Sequence, residues 1–99
     1  MGYKLVFTKR AENDARKLEQ AGLEKKAIDL LKIIKNNPYQ TPPPYEKLSG
    51  DLKGMYSRRI NIQHRLIYAV FSNSTNQKDS NGVLYEGIVK VLKMWTHYE

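Results

Sequence analysis

There is no cysteine anywhere in the 99 residues. That removes disulfide staples, thiol nucleophiles and every cysteine-ligated zinc site. Histidine is nearly as scarce: His64 and His97 are the only two. Neither stands in an HExxH-type pattern or in a His-x-carboxylate cluster, so the sequence predicts no metal centre and no cofactor. A glycine-rich phosphate loop and a GxSxG turn are also missing. The longest unbroken apolar run is Leu66–Phe71, far short of the roughly 20 residues a bilayer-spanning helix needs. Met1-Gly2-Tyr3-Lys4 has no apolar stretch behind a basic start, so no signal peptide is expected, and Val6 stands where a myristoylation motif wants Ser or Thr. A cytoplasmic location without a membrane partner is the resulting expectation.

What is present is positive charge. Seventeen Lys and Arg against ten Asp and Glu give +7, which favours an anionic partner, either nucleic acid or an acidic protein. The surplus is uneven: nine basic and five acidic groups in residues 1–40, five and two in 41–70, three and three in 71–99. Lys53, Arg58, Arg59 and Arg65 follow one another with no acid between them. With 40% apolar residues the chain is globular, and its length suits one domain, residues 1–99.

Tyr3-Lys4-Leu5-Val6-Phe7 reads as a first strand. Thr8 is a fitting N-cap for a helix over residues 9–20, where Ala11, Ala15 and Leu18 recur at helical spacing. Gly22 breaks that pattern. Leu23, Ala27, Leu30, Leu31 and Ile34 then draw a second helical stripe, so a helical hairpin is predicted. All four prolines fall in residues 38–44, which predicts an extended or polyproline strap returning the chain to a sheet. Residues 55–62 and 65–71 read as a strand hairpin, 72–82 as a polar, mobile loop, and 83–95 as a long last strand. The expected fold is α+β, with an N-terminal strand and a helical hairpin packed on an antiparallel sheet.

Taken singly, the candidate reactive residues are unremarkable in kind. Glu46 reads as a surface carboxylate, His64 as a packed or solvated hairpin residue, and His97 as part of a loose terminus. Tyr98 has the amphipathic character to pack, stack on a base or lie exposed. Together, a carboxylate, an imidazole and clustered guanidinium groups supply what metal-free RNA cleavage requires. RNA carries its own nucleophile, the 2′-OH; a base takes its proton, an acid protonates the departing 5′-oxygen, and an arginine meets the charge that builds on phosphorus.

Several blocks carry a resemblance. Glu46-Lys47-Leu48, Gly54-Met55-Tyr56-Ser57-Arg58-Arg59-Ile60, His64-Arg65-Leu66-Ile67-Tyr68-Ala69-Val70 and His97-Tyr98 together resemble the YoeB/Txe toxins of the RelE-like toxin–antitoxin superfamily. The resemblance implies a RelE-like microbial RNase fold and a ribosome-dependent mRNA endoribonuclease that cuts the codon in the ribosomal A site. It implies Glu46 as general base, His97 as general acid, Arg65 as phosphate stabiliser and Tyr98 as a substrate-orienting residue. Arg59 is implied as a phosphate contact, with Arg58 and Lys47 in the same role with less weight. Adjacent strand residues point to opposite faces, so only one of Arg58 and Arg59 is expected in the site, the other meeting antitoxin, ribosomal RNA or solvent. The implied partners are a YefM/Axe-type antitoxin, the ribosome with its A-site mRNA, and a second copy in a homodimer. The chain departs from the family pattern at Tyr56, often tryptophan, at Trp95, usually basic, and in a longer 72–82 loop. A ParE-like toxin of the same fold, inhibiting DNA gyrase by binding alone, is the alternative, and a plain RNA-binding module ranks third.

Overall fold

The computed structural model describes residues 2–95. Strand β1 (Tyr3–Phe7) is followed by helices α1 (Lys9–Gln20) and α2 (Glu24–Asn36), then by β2 (Glu46–Lys47), β3 (Met55–Arg59), β4 (Arg65–Ser72) and β5 (Gly87–Lys93). The Thr8 hydroxyl starts α1. Its Oγ1 accepts the Ala11 N–H at 3.0 Å and donates to the Leu92 carbonyl at 2.9 Å, so one side chain both caps the helix and ties it to β5. The helix ends in a Schellman turn. Leu23 N–H bonds Leu18 O at 2.8 Å and Gly22 N–H bonds Glu19 O at 3.1 Å, with Gly22 at φ 75°, a region that costs a residue without Cβ nothing. That turn reverses the chain and lays α2 beside α1.

The five strands form one sheet in the order β1-β5-β4-β3-β2. The sheet is mixed rather than wholly antiparallel as expected, because β1 and β5 run parallel, Leu5 beside Val89. A parallel pair needs a long connection between its strands, and here everything from α1 to β4 provides it. The core lies between the helices and one face of the sheet. Ala11, Leu18, Ala27, Leu30 and Ile34 pack on Leu66, Tyr68, Val89 and Val91. By strand alternation the other face, carrying Ser57, Arg59 and Arg65, is left without helices.

Four expectations change. The last strand is shorter than 83–95, because residues 77–85 fold into a small hairpin. Tyr85 N–H bonds Gln77 O, and Asn73 Nδ2 reaches both the Gln77 and Tyr85 carbonyls at 2.9 and 3.1 Å. The 72–82 segment is therefore pinned rather than a free loop. β3 ends at Arg59 rather than Ile62, since the Asn61 carboxamide oxygen accepts the Gln63 and His64 N–H groups and closes a tight turn. The proline strap is not extended. It turns at Pro38-Tyr39 and bends at Pro42-Pro43, curling over the sheet end. Among the described residues no helix is long and apolar enough to cross a membrane.

Candidate active site

β2 is only two residues long, yet it decides where Glu46 stands. Glu46 pairs across the strands with Ser57, and Arg59 pairs with Arg65. Alternation places all four on the helix-free face. Arg65 Nη1 donates to Glu46 Oε1 at 2.8 Å and to Ser57 Oγ at 3.5 Å. The Arg65 side chain is 15% exposed and that of Glu46 61%. A guanidinium anchored in the sheet thus holds a carboxylate that stands in solvent. Such a pair at the surface contributes only about 0–1 kcal/mol to stability, so its stabilising value alone does not account for the arrangement. Pro44, Tyr45, Glu46, Ser57, Arg59 and Arg65 line a cleft of about 70 Å³. The facing of Arg59 and Arg65 across the ladder sets like charges side by side, which costs stability on a sheet and concentrates positive potential where a phosphate would sit.

The expected site residues separate into groups. Glu46, Arg59 and Arg65 come together. Lys47, pointing the other way on β2, lines a neighbouring groove with Leu48, Lys53, Met55 and Tyr56. Arg58 is a correction to the expected phosphate contacts. It is 1% exposed, and its guanidinium bonds the carbonyls of Pro38 and Pro43 and the Tyr68 hydroxyl. It is closed off from solvent, because the curled strap covers it. His97 and Tyr98 lie outside the described residues. His64 is packed, its ring stacked on Trp95 at 3.9 Å and 23°.

The sequence reading missed two residues that line the cleft and one that braces the end of the sheet. Ser57, two residues before Arg59, follows from the same alternation that places Arg59. Tyr45 enters the cleft because the strap delivers it there. Asp14 on α1 is 1% exposed, and its Oδ2 accepts the Met94 and Trp95 N–H groups at 3.0 and 3.2 Å. It therefore holds the end of the sheet from which the chain runs on toward residue 97. Around the strap, Tyr39, Tyr45, Tyr56 and Tyr68 form a chain of ring contacts. Burial, aided by the neighbouring Tyr56, pushes the Tyr39 hydroxyl up to about 12. Burial also raises Tyr68, against the pull of Arg58.

A helical hairpin on one face of a small mixed sheet, with a carboxylate–guanidinium pair in a basic cleft on the other, defines a class of small basic α+β proteins. The model of the YoeB-like toxins of bacterial type II toxin–antitoxin systems matches residues 7–98. Toxin YoeB of Escherichia coli K12 is 32% identical over 73 residues, covering 72% of this chain and 87% of that protein. A solved YoeB/ParE toxin from Agrobacterium tumefaciens superposes with a TM-score of 0.73 at 29% identity, covering 96% of this chain and 99% of that one. The YoeB–YefM complex from Staphylococcus aureus gives 0.69 at 32%, covering 97% and 98%, and a YoeB dimer from the same organism gives 0.68 at 30%, with the same coverage. The chain belongs to the YoeB-like toxin family of type II toxin–antitoxin systems.

Proposed function

We propose that the protein is an mRNA endoribonuclease acting at the ribosomal A site, with Glu46 as base, Arg65 as phosphate stabiliser and His97 as acid. The observation that carries this reading is the 2.8 Å contact between Glu46 and Arg65 inside the cleft beside Arg59. Glu46 takes the proton from the 2′-OH, whose oxygen attacks the adjacent phosphorus. The P–O5′ bond breaks, and the proton from His97 goes to the leaving oxygen. A 2′,3′-cyclic phosphate and a 5′-OH result, and DNA, without the 2′-OH, survives. A guanidinium has five donors in a planar fork, enough to bridge the carboxylate and a phosphate oxygen as charge grows. Each positioned acid or base is worth about 10²–10⁴-fold in rate. Tyr98 orients the substrate, Arg59 steadies a phosphate, and no metal or cofactor takes part.

The cytoplasm is the place of action, a YefM-type antitoxin is the partner that silences it, and self-association into a homodimer accompanies this. The antitoxin and dimer readings are supported by the S. aureus complex and dimer. The test is cleavage of mRNA on programmed ribosomes by the parent, Glu46→Gln, Arg65→Ala and His97→Ala, with cyclic-phosphate ends mapped. Each variant is expected to fold and to lose cleavage. Intact mRNA with the parent, together with stalled DNA gyrase, would instead establish the ParE-like alternative.

A further inference from the structure

We infer that Arg58 is a positioning residue for the general base: its guanidinium buckles the proline strap to the sheet and so fixes where Glu46 stands. This rests on the nuclease reading above and deepens it.

The argument begins with proline chemistry. Pro38, Pro42, Pro43 and Pro44 have no N–H, so the strap is rich in carbonyl acceptors and poor in donors. It cannot knit itself to the sheet by strand pairing. Arginine is the reverse, with several donors and no acceptor. Arg58 Nη1 donates to Pro43 O at 2.7 Å and Nη2 to Pro38 O at 2.9 Å, while Nε donates to the Tyr68 hydroxyl at 3.1 Å. That hydroxyl in turn donates to Pro38 O at 2.6 Å. One planar group therefore grips both ends of the strap and one strand of the sheet. The same guanidinium carbon lies 5.0 Å from the centre of the Tyr45 ring, directly before Glu46 in the chain. Beyond the strap, the short pairing of β2 with β3 and the Leu48 N–H to Met55 O bond at 2.9 Å place the backbone of Glu46.

The energetics point the same way. A buried cation is costly unless it is fully hydrogen-bonded or paired. Arg58 is among the most buried large side chains of the molecule, and the partners that describe it are carbonyls, a hydroxyl and aromatic rings. A hydrophobic side chain would fill that space without the desolvation cost, but it could not grip the strap. A shift of about 1 Å at a catalytic group can cost about 10²-fold, so the grip matters most at Glu46, which follows the strap on β2.

The test compares parent, Glu46→Gln, Arg58→Lys, Tyr68→Phe and the double variant Glu46→Gln/Arg58→Lys in single-turnover cleavage of ribosome-bound mRNA, with thermal melts alongside. A lysine keeps the charge but cannot span three acceptors. Arg58→Lys is expected to fold and to lose about 10²-fold in kcat while KM stays near the parent value, the pattern of lost transition-state geometry. In the Glu46→Gln background the same change should cost nothing further. Tyr68→Phe removes one strand of the buckle and should lower kcat less, in the same direction, and it carries the test if Arg58→Lys does not fold. Parent-like kcat in Arg58→Lys, or in Tyr68→Phe where it alone folds, overturns the inference, as does an equal loss in the Glu46→Gln background. Glu46→Gln cutting at the parent rate overturns the assignment of Glu46 as base, and the inference with it, whereas mRNA left intact by the parent overturns the nuclease reading itself.

Discussion

Replacing Asp14 by alanine tests how the end of the sheet is held. Asp14 sits on the buried face of α1, and a single carboxylate oxygen accepts two backbone N–H groups, from Met94 at 3.0 Å and Trp95 at 3.2 Å. Hydrogen bonds to a charged acceptor are worth about 1.5–3 kcal/mol each. The two share one oxygen and are not independent, so alanine is expected to cost about 3 kcal/mol. The Arg10 contact at 3.3 Å adds little, because Arg10 is largely in solvent. In a domain of this size each kcal/mol moves Tm by about 4–8 °C, so Asp14→Ala should melt roughly 12–24 °C below the parent. Asparagine offers one carbonyl oxygen to the same two donors and loses only the charge, for a cost of about 1–2 kcal/mol. Urea unfolding followed by far-UV circular dichroism measures both. Asp14→Ala within about 0.5 kcal/mol of the parent, the scatter of an ordinary surface change, would refute the reasoning. So would an asparagine variant as unstable as the alanine one.

Gly87→Ala should destabilise by about 1–3 kcal/mol through overpacking, because a Cβ there would lie 2.8 Å from the Tyr3 ring and 2.9 Å from the Phe71 carbonyl; chemical denaturation checks it. Asn73→Ala removes three hydrogen bonds that close the small hairpin, so amide exchange should accelerate across residues 74–85 while the core strands keep their protection. Raising the pH should weaken the fold above about 10. Tyr39 ionises in the native state only near about 12, whereas the unfolded chain ionises it near its ordinary value, so the stabilisation is complete below about 10 and is lost as pH rises toward 12; with Tyr39 42% exposed, solvent screening keeps the effect small. Unfolding midpoints taken at alkaline pH, compared with those of Tyr39→Phe, read this directly, and an unchanged pH dependence in Tyr39→Phe would contradict it.

Helices α1 and α2 were legible because their apolar residues recur at helical spacing and Thr8 and Gly22 mark the ends. β1 was legible for its composition. What local pattern could not supply was pairing. A two-residue strand such as β2 has no periodicity to read, and the parallel seating of β5 beside β1 is decided by the whole chain. Residues 83–85 share the apolar character of β5, so the small hairpin that removes them from the strand was invisible without Asn73 and its partners. At the site, alternation separated Arg58 from Arg59 correctly. It could not say that Arg58 would be drawn inward, because that depends on carbonyls 15 and 20 residues away in sequence. Asp14 did leave a sign, an acid on the stripe of Ala11, Ala15 and Leu18, where a charge needs a buried partner.

The seating of β5 between β1 and β4 has a consequence for the birth of the molecule. At the rim β1 waits for β5, which follows it by about eighty residues, and Val89 and Val91 complete the surface onto which both helices settle. A nascent chain that has not yet passed Lys93 holds neither the full sheet nor a finished interior, so this domain is expected to fold only after β5 has been synthesised. Ribosome-bound chains halted before Gly87 should accordingly be digested by protease throughout, and a protected core in such chains would show that the helices settle without their final strand.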